Sequence, residues 1–289
     1  MGVLLLASIL APSSVHAAVP IARAASGHAT IPVTVASERA DFVLDTGAEG
    51  TVLYRNFADR LGLTATSGSS QLVGQTGAID LPEIEMPGFT VDGRTFGPMT
   101  TIALPSRADG VDLAGIVGLD VMKDALAVID YPRGLFSLHD STADPTVLAG
   151  KDAIAIDVRR AAGGLLVLDV GIGGVVGAAV LDSGSRDTRI NWRFASALGI
   201  APGSAALKQG GVIQGATITP VATVTTEVEN ISFAGHTVTK AEVRIADFPV
   251  FAQLEMSERP AMILGHDLLA GAKMVIDLAH DRVWFAWTE

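Results

Sequence analysis

The apolar positions of the chain follow the same order twice, and in both halves they favour β-strands. Each half begins with an apolar run, residues 30–35 or 165–172, that turns back into a second apolar run ending at an aspartate. A short amphipathic helix is predicted next, with its apolar positions at Phe57, Leu61 and Leu63 and at Phe194, Leu198 and Ile200. Strands punctuated by Gly and Pro follow, and each half is predicted to close with a β-hairpin. The pattern therefore predicts two β-rich units of the same design.

Equivalent short motifs indicate that the two units are an internal repeat. Asp-Thr-Gly at residues 45–47 recurs as Asp-Ser-Gly at 182–184, which is 137 positions later. Ile-Val-Gly at 116–118 recurs as Ile-Leu-Gly at 263–265, 147 positions later, so about ten residues were inserted between the motifs of the second unit. The predicted boundaries are residues 25–140 for the first lobe, 141–151 for the linker and 152–289 for the second lobe.

Composition and net charge exclude several classes of partner and of catalytic chemistry. The chain has 289 residues, of which 49% are apolar and 18% charged, so it can bury a large core. Its formal net charge of −11 argues against nucleic acid or anionic lipid as a partner. The absence of cysteine excludes disulfides and a thiol nucleophile.

The first 17 residues predict a signal peptide. An apolar stretch too short to span a bilayer is followed by polar and then small residues. A periplasmic or secreted location follows from this prediction, and a buried N-terminal strand or helix is the alternative. We expect no membrane span elsewhere in the chain.

The two aspartate motifs point to a specific chemistry. One Asp-Thr/Ser-Gly motif alone is typical of a turn, but two copies at equivalent positions after apolar strands suggest a pair of carboxylates. Two carboxylates about 3 Å apart cannot both ionise, so one keeps a proton while the other can accept one from water. Asp45 and Asp182 are therefore the candidate catalytic residues. The hydroxyl that follows each aspartate can hydrogen-bond to the opposite loop, and the glycine permits close approach.

These motifs resemble those of the retropepsin and pepsin group of aspartic peptidases, and most closely the bacterial retropepsin-like proteins that carry two units in tandem. The resemblance covers nearly all of residues 28–287. It implies an all-β, bilobal fold of two β-barrel-like lobes with short helices and a cleft between them. It also implies an endopeptidase acting on peptide or protein substrates, without metal or organic cofactor, and we expect a monomer. The residues that the resemblance assigns to support of the dyad are Thr46, Gly47, Ser183, Gly184 and Ser185, and those assigned to a substrate-binding flap are Gly74, Gln75, Thr76 and Gly77.

Several interpretations stay open at this point. Arg186 either faces the dyad, or points to solvent or pairs with Asp187. Asp120 and Asp267 are interpreted as helix caps. A catalytically silent peptide-binding module on the same fold is one alternative function. Pairing of single units between two chains, as a homodimer, is another arrangement.

Overall fold

A computed structural model describes residues 18–217 and 219–288. The predicted signal peptide, residues 1–17, lies outside the described residues. The first half contains the strands β1 (Val19–Pro20), β2 (Ala22–Arg23), β3 (Ala29–Val35), β4 (Glu38–Leu44), β5 (Val52–Tyr54), β6 (Ala65–Gly74), β7 (Gly77–Met86), β8 (Phe89–Val91), β9 (Arg94–Phe96), β10 (Met99–Leu104), β11 (Gly115–Val117), β12 (Ala125–Asp130) and β13 (Leu135–Asp140). The second half contains β14 (Ile154–Asp157), β15 (Arg159–Arg160), β16 (Leu166–Ile172), β17 (Val175–Leu181), β18 (Arg189–Ile190), β19 (Lys208–Ile213), β20 (Val221–Phe233), β21 (His236–Ile245), β22 (Ala261–Leu264), β23 (Ala272–Asp277) and β24 (Arg282–Trp287).

The helices are short and lie between strands. They are α1 (Arg55–Arg60), α2 (Pro145–Ala149), α3 (Trp192–Ala197), α4 (Pro249–Gln253) and α5 (His266–Leu269), with 3-10 turns at Leu119–Met122 and Ala162–Gly164. The predicted amphipathic helices correspond to α1 and α3, which bury Phe57 and Phe194 on equivalent faces. No helix in residues 18–217 and 219–288 is both long and apolar enough to cross a membrane.

Each half forms its own sheet. The first lobe has the strand order β6-β7-β10-β5-β11-β4-β3-β8-β9, with β2 paired to β3. The second lobe has the order β15-β16-β17-β22-β18-β21-β20-β19, and an additional pairing of β16 with β20 closes it into a barrel. The all-β, two-lobe fold expected from the repeat is therefore confirmed.

The terminal hairpins of the two lobes join in a third sheet, of order β1-β13-β12-β23-β24-β14. β12 and β23 pair antiparallel across the junction, with Val128 opposite Val275. Strand β12 is buried along its whole length, and β23 along all of it except Lys273, which explains their nearly continuous apolar sequence. The shared sheet fixes the two lobes relative to each other.

Two segments differ in detail from the predicted boundaries. The predicted linker, residues 141–151, contains α2, whose N-cap Asp144 accepts a hydrogen bond from Thr146 N, and this helix packs on the shared sheet. Strands β1 and β2 lie before residue 25, where the first lobe was predicted to begin, and β1 pairs with β13.

Alternation of apolar residues builds the core of each lobe. In β3, Ile31, Val33 and Val35 are at most 1% exposed, while the residues between them are more exposed. Phe42 in β4 packs edge-on against Phe57 of α1, with ring centroids 5.8 Å apart. This packing anchors the strand that leads into the first aspartate.

Candidate active site

Each aspartate stands at the end of a central strand. β4 pairs in parallel with β11, and the Asp45 N–H donates to Val117 O at 3.0 Å. β17 pairs in parallel with β22 in the same way, and the Asp182 N–H donates to Leu264 O at 3.0 Å. The apolar-apolar-Gly motifs of the sequence thus supply the strand that holds each aspartate of its own lobe.

The hydroxyls of Thr46 and Ser183 interlock the two loops. Thr46 Oγ1 accepts from Ser183 N at 3.0 Å and donates to Leu181 O at 2.8 Å. Ser183 Oγ accepts from Thr46 N at 2.9 Å and donates to Leu44 O at 2.8 Å. Both side chains are at most 1% exposed. Since every one of these bonds crosses between the lobes, they hold the two aspartates in register within a single chain.

The glycines of the two motifs allow the carboxyls to meet. The Asp45 and Asp182 side chains lie close enough for each carboxyl to shift the pKa of the other. A Cβ added to Gly47 would lie 2.5 Å from Asp182 Cγ, and one added to Gly184 would overlap the Asp45 carboxyl. No other residue type fits at either position without displacing the opposite aspartate.

The surroundings of the two carboxyls differ. Burial, followed by the neighbouring Asp182 carboxylate, raises the pKa of Asp45 well above its usual value. Burial also raises the pKa of Asp182, but Arg189 and hydrogen bonds from Ser185 N (2.8 Å) and Gln75 Nε2 (2.6 Å) oppose that rise. The arrangement therefore favours the proton on Asp45 and the negative charge on Asp182.

A second pair of carboxylates supports the loops from behind. Asp120 accepts from Thr51 Oγ1 (2.8 Å) and Thr51 N (3.0 Å), and Asp267 accepts from Thr188 Oγ1 (2.7 Å) and Thr188 N (2.9 Å). Asp120 and Asp267 were interpreted as helix caps, but the N-cap positions of these helical turns belong to Gly118 and Gly265. Each aspartate lies in the first turn instead, where Asp267 also accepts from Leu268 N at 3.0 Å. The repeat offset of 137 that relates the two aspartate motifs also relates Thr51 to Thr188, and the offset of 147 that relates the two apolar-apolar-Gly motifs also relates Asp120 to Asp267. That correspondence was the available signal for this role.

The predicted flap is the long hairpin β6–β7, and its tip reaches the second lobe. Gly74 and Gln75 line the cleft, with the Gln75 amide on Asp182. Thr76 is fully buried and its hydroxyl lies 2.5 Å from that of Thr217. Gly77, with φ of +136°, starts the return strand. The tip of the β6–β7 hairpin thus lies over Asp182 and contacts the segment between β19 and β20 of the second lobe.

A cleft of about 1960 Å³ lies between the lobes and contains both aspartates. Arg186 lines it and donates to Ser26 O at 2.9 Å. Of the alternatives for Arg186, pairing with Asp187 is not observed, since Asp187 pairs with Arg244 at 2.9 Å. No group of three or more side chains suited to a metal lies together in residues 18–217 and 219–288.

A comparison with protein families matches two regions of the chain, residues 31–121 and residues 168–268, to the aspartyl protease family. Each region contains one aspartate motif and its apolar-apolar-Gly motif. No individual curated protein matches the chain. The chain belongs to the aspartyl protease family and has the two-unit, retropepsin-like organisation that its motifs suggested.

Proposed function

We propose that the protein is an aspartic endopeptidase that hydrolyses peptide bonds with a water held between Asp45 and Asp182. The observation that carries the proposal is the contact between these two carboxyls at the floor of a cleft large enough for an extended peptide. The interlocked hydroxyls complete this contact within one chain, so the site does not need a second copy.

The unequal surroundings of the two carboxyls support a different role for each. Gln75, Ser185 and Arg189 stabilise Asp182 as a carboxylate. Asp182 takes a proton from the water while the water oxygen attacks the carbonyl carbon of the substrate. Asp45 is protonated before the reaction, and it donates this proton to the carbonyl oxygen, which gives a neutral tetrahedral diol. In the second step Asp182 passes its proton to the amide nitrogen while Asp45 recovers one from a hydroxyl, and the C–N bond breaks. Both carboxyls return to their starting states.

Substrate entry requires the flap to open. Gln75 Nε2 occupies a hydrogen-bonding position on Asp182, and Gln75 O accepts from Val250 N of the second lobe at 3.4 Å. A peptide that binds in the cleft replaces these contacts, and the extended strands of the flap hairpin can pair with its backbone.

The test is cleavage of a peptide library between pH 3 and 8 by the wild type and by Asp45→Asn and Asp182→Asn. We expect each variant to lose cleavage while remaining folded. Asp130→Asn is the matched control, because Asp130 is also a buried, repeat-paired aspartate but is the last residue of β12, where it accepts from Arg133 N of the hairpin turn. Equal cleavage by the wild type and the two dyad variants would refute the proposal. Peptide binding by the wild type without any cleavage would favour the silent binding module.

A further inference from the structure

Arg189 is a buried cation in the wall of the candidate active site. It belongs to β18, lines the cleft and is only 5% exposed. Its guanidinium lies over the ring of Phe248, 5.4 Å from the centroid, and its Nε has no hydrogen-bond partner. None of the ion pairs in residues 18–217 and 219–288 includes it. A buried guanidinium normally has a carboxylate or phosphate partner, so this one is incompletely satisfied by the protein.

The nearby acidic groups of the chain are committed elsewhere. Asp182 and Asp187 act on Arg189 electrostatically. Asp182 accepts from Ser185 N and Gln75 Nε2, and Asp187 pairs with Arg244. Neither carboxylate lies within ion-pair distance of Arg189, which leaves donors of its fork available to the cleft.

The repeat shows that the fold does not need a charge at this position. The residue equivalent to Arg189 in the first lobe is Val52, which starts β5 and lines the same cleft. Both follow a threonine, Thr51 or Thr188, that the rear aspartate of its lobe holds in the same way. The two walls beside the dyad therefore share a backbone but differ in chemistry, one apolar and one cationic.

Other cations gather at the same end of the cleft. Arg186 is exposed and donates to a backbone carbonyl, Ser26 O, but takes part in no ion pair of the described chain. Burial, followed by the charges of Arg107, Arg186 and Arg189, lowers the pKa of His28 to about 4, and the Asp109 carboxylate acts in the opposite direction. Arg107 is paired with Asp109 and also donates to Tyr54 Oη at 3.1 Å. In a protein of net charge −11, this end of the cleft is locally positive.

We propose that Arg189, assisted by Arg186, binds the carboxylate of an acidic side chain of the substrate, on the second-lobe side of the scissile bond. The planar guanidinium presents paired N–H donors that match a carboxylate, and burial makes such a bond strong. The proposal rests on the proposed peptidase function and adds its substrate class: peptides with Glu or Asp beside the cleaved bond.

Binding to an inactive variant tests the subsite without requiring turnover. The probes are labelled decapeptide mixtures, randomised at the other positions, that carry either Glu or Gln at one central position, each made with a free or an amidated C-terminus. We expect the Asp45→Asn protein to bind the Glu mixtures at least about tenfold more tightly than the Gln mixtures, with either form of the C-terminus. Arg189→Met or Arg186→Met, each added to Asp45→Asn, should abolish most of this Glu-over-Gln preference, and Arg189→Lys should keep part of it. The control is Arg193→Gln, which changes an exposed arginine of α3 and should leave the preference unchanged.

The outcomes separate the subsite from a structural role. Arg189→Met should not lower the melting temperature, because it replaces a buried unpaired cation with an apolar chain of similar length. Should Arg189→Met nevertheless fail to fold, the exposed Arg186→Met decides through the same ratio. Three results would overturn the subsite. They are an unchanged Glu-to-Gln binding ratio in the folded arginine variants, a preference that depends only on the C-terminal carboxylate, and equal or undetectable binding of the Glu and Gln mixtures. A wild type that cleaves no peptide while Asp45→Asn still binds Glu mixtures selectively would reject the peptidase function but support the subsite.

Discussion

The hydroxyl of Thr46 offers the sharpest test of how the two lobes are joined at the dyad. Thr46→Val keeps the shape of the side chain but removes the oxygen that accepts from Ser183 N and donates to Leu181 O. Both backbone groups lie in the buried centre of the molecule, where water cannot replace the lost partner. The variant therefore leaves one donor and one acceptor unpaired.

The expected magnitude follows from these two groups. A buried polar group that loses its partner costs about 1–3 kcal/mol, so Thr46→Val should lower the free energy of unfolding by about 2–6 kcal/mol. Ser183→Ala removes the partner of Thr46 N and Leu44 O, and because the arrangement is symmetric we expect a loss of similar size. Peptide cleavage should fall in both variants, since the aspartates lose their register.

Urea denaturation, followed by the fluorescence of the tryptophans, measures the effect. Thr239→Val is the matched control, because Thr239 is an exposed threonine in β21, and its change should stay within about 0.5 kcal/mol. A destabilisation by Thr46→Val no larger than that of this control would refute the account of the interlocked loops.

Three further predictions follow from the site. The folded-state pKa of Asp45 is raised, so the protonated side chain contributes its full stability below the usual pKa of 3.8, and this contribution is lost as the pH rises. Asp45→Asn should therefore have a higher melting temperature than the wild type at pH 7, and the difference in melting temperature should shrink towards pH 3. A difference that grows on acidification would contradict this prediction. Arg189→Met removes a charge that lowers the pKa of Asp182, so the acidic limb of the kcat/KM profile should move to higher pH; an unchanged or lower limb would argue against Asp182 as the base. Gly265→Ala would place a Cβ 2.7 Å from backbone and should cost about 1–3 kcal/mol in urea denaturation, whereas Gly271→Ala meets open space and should be within about 0.5 kcal/mol of the wild type.

The sequence by itself determined the architecture and the identity of the candidate dyad. Apolar periodicity placed the strands, and the recurrence of Asp45-Thr-Gly as Asp182-Ser-Gly, each with its own apolar-apolar-Gly motif, defined two equivalent lobes. These features were readable because strand alternation and turn chemistry are local, and because a duplicated unit carries an internal reference for each position. The two-unit organisation was confirmed by the separate family matches to residues 31–121 and 168–268.

Tertiary structure alone decided which side chains act on the dyad and how its proton is shared. The contact of Gln75 with Asp182 depends on a hairpin crossing between lobes over 107 residues of chain, a distance that no local pattern encodes. Arg189 reads in sequence as an ordinary charged residue next to a threonine, and only its burial without an ion-pair partner distinguishes it from a solvated surface arginine. The difference between Asp45 and Asp182 likewise depends on tertiary structure: Ser185 is a near neighbour of Asp182 in sequence, but Gln75 reaches it from the other lobe, and the depth at which both carboxyls are buried is set by the whole fold.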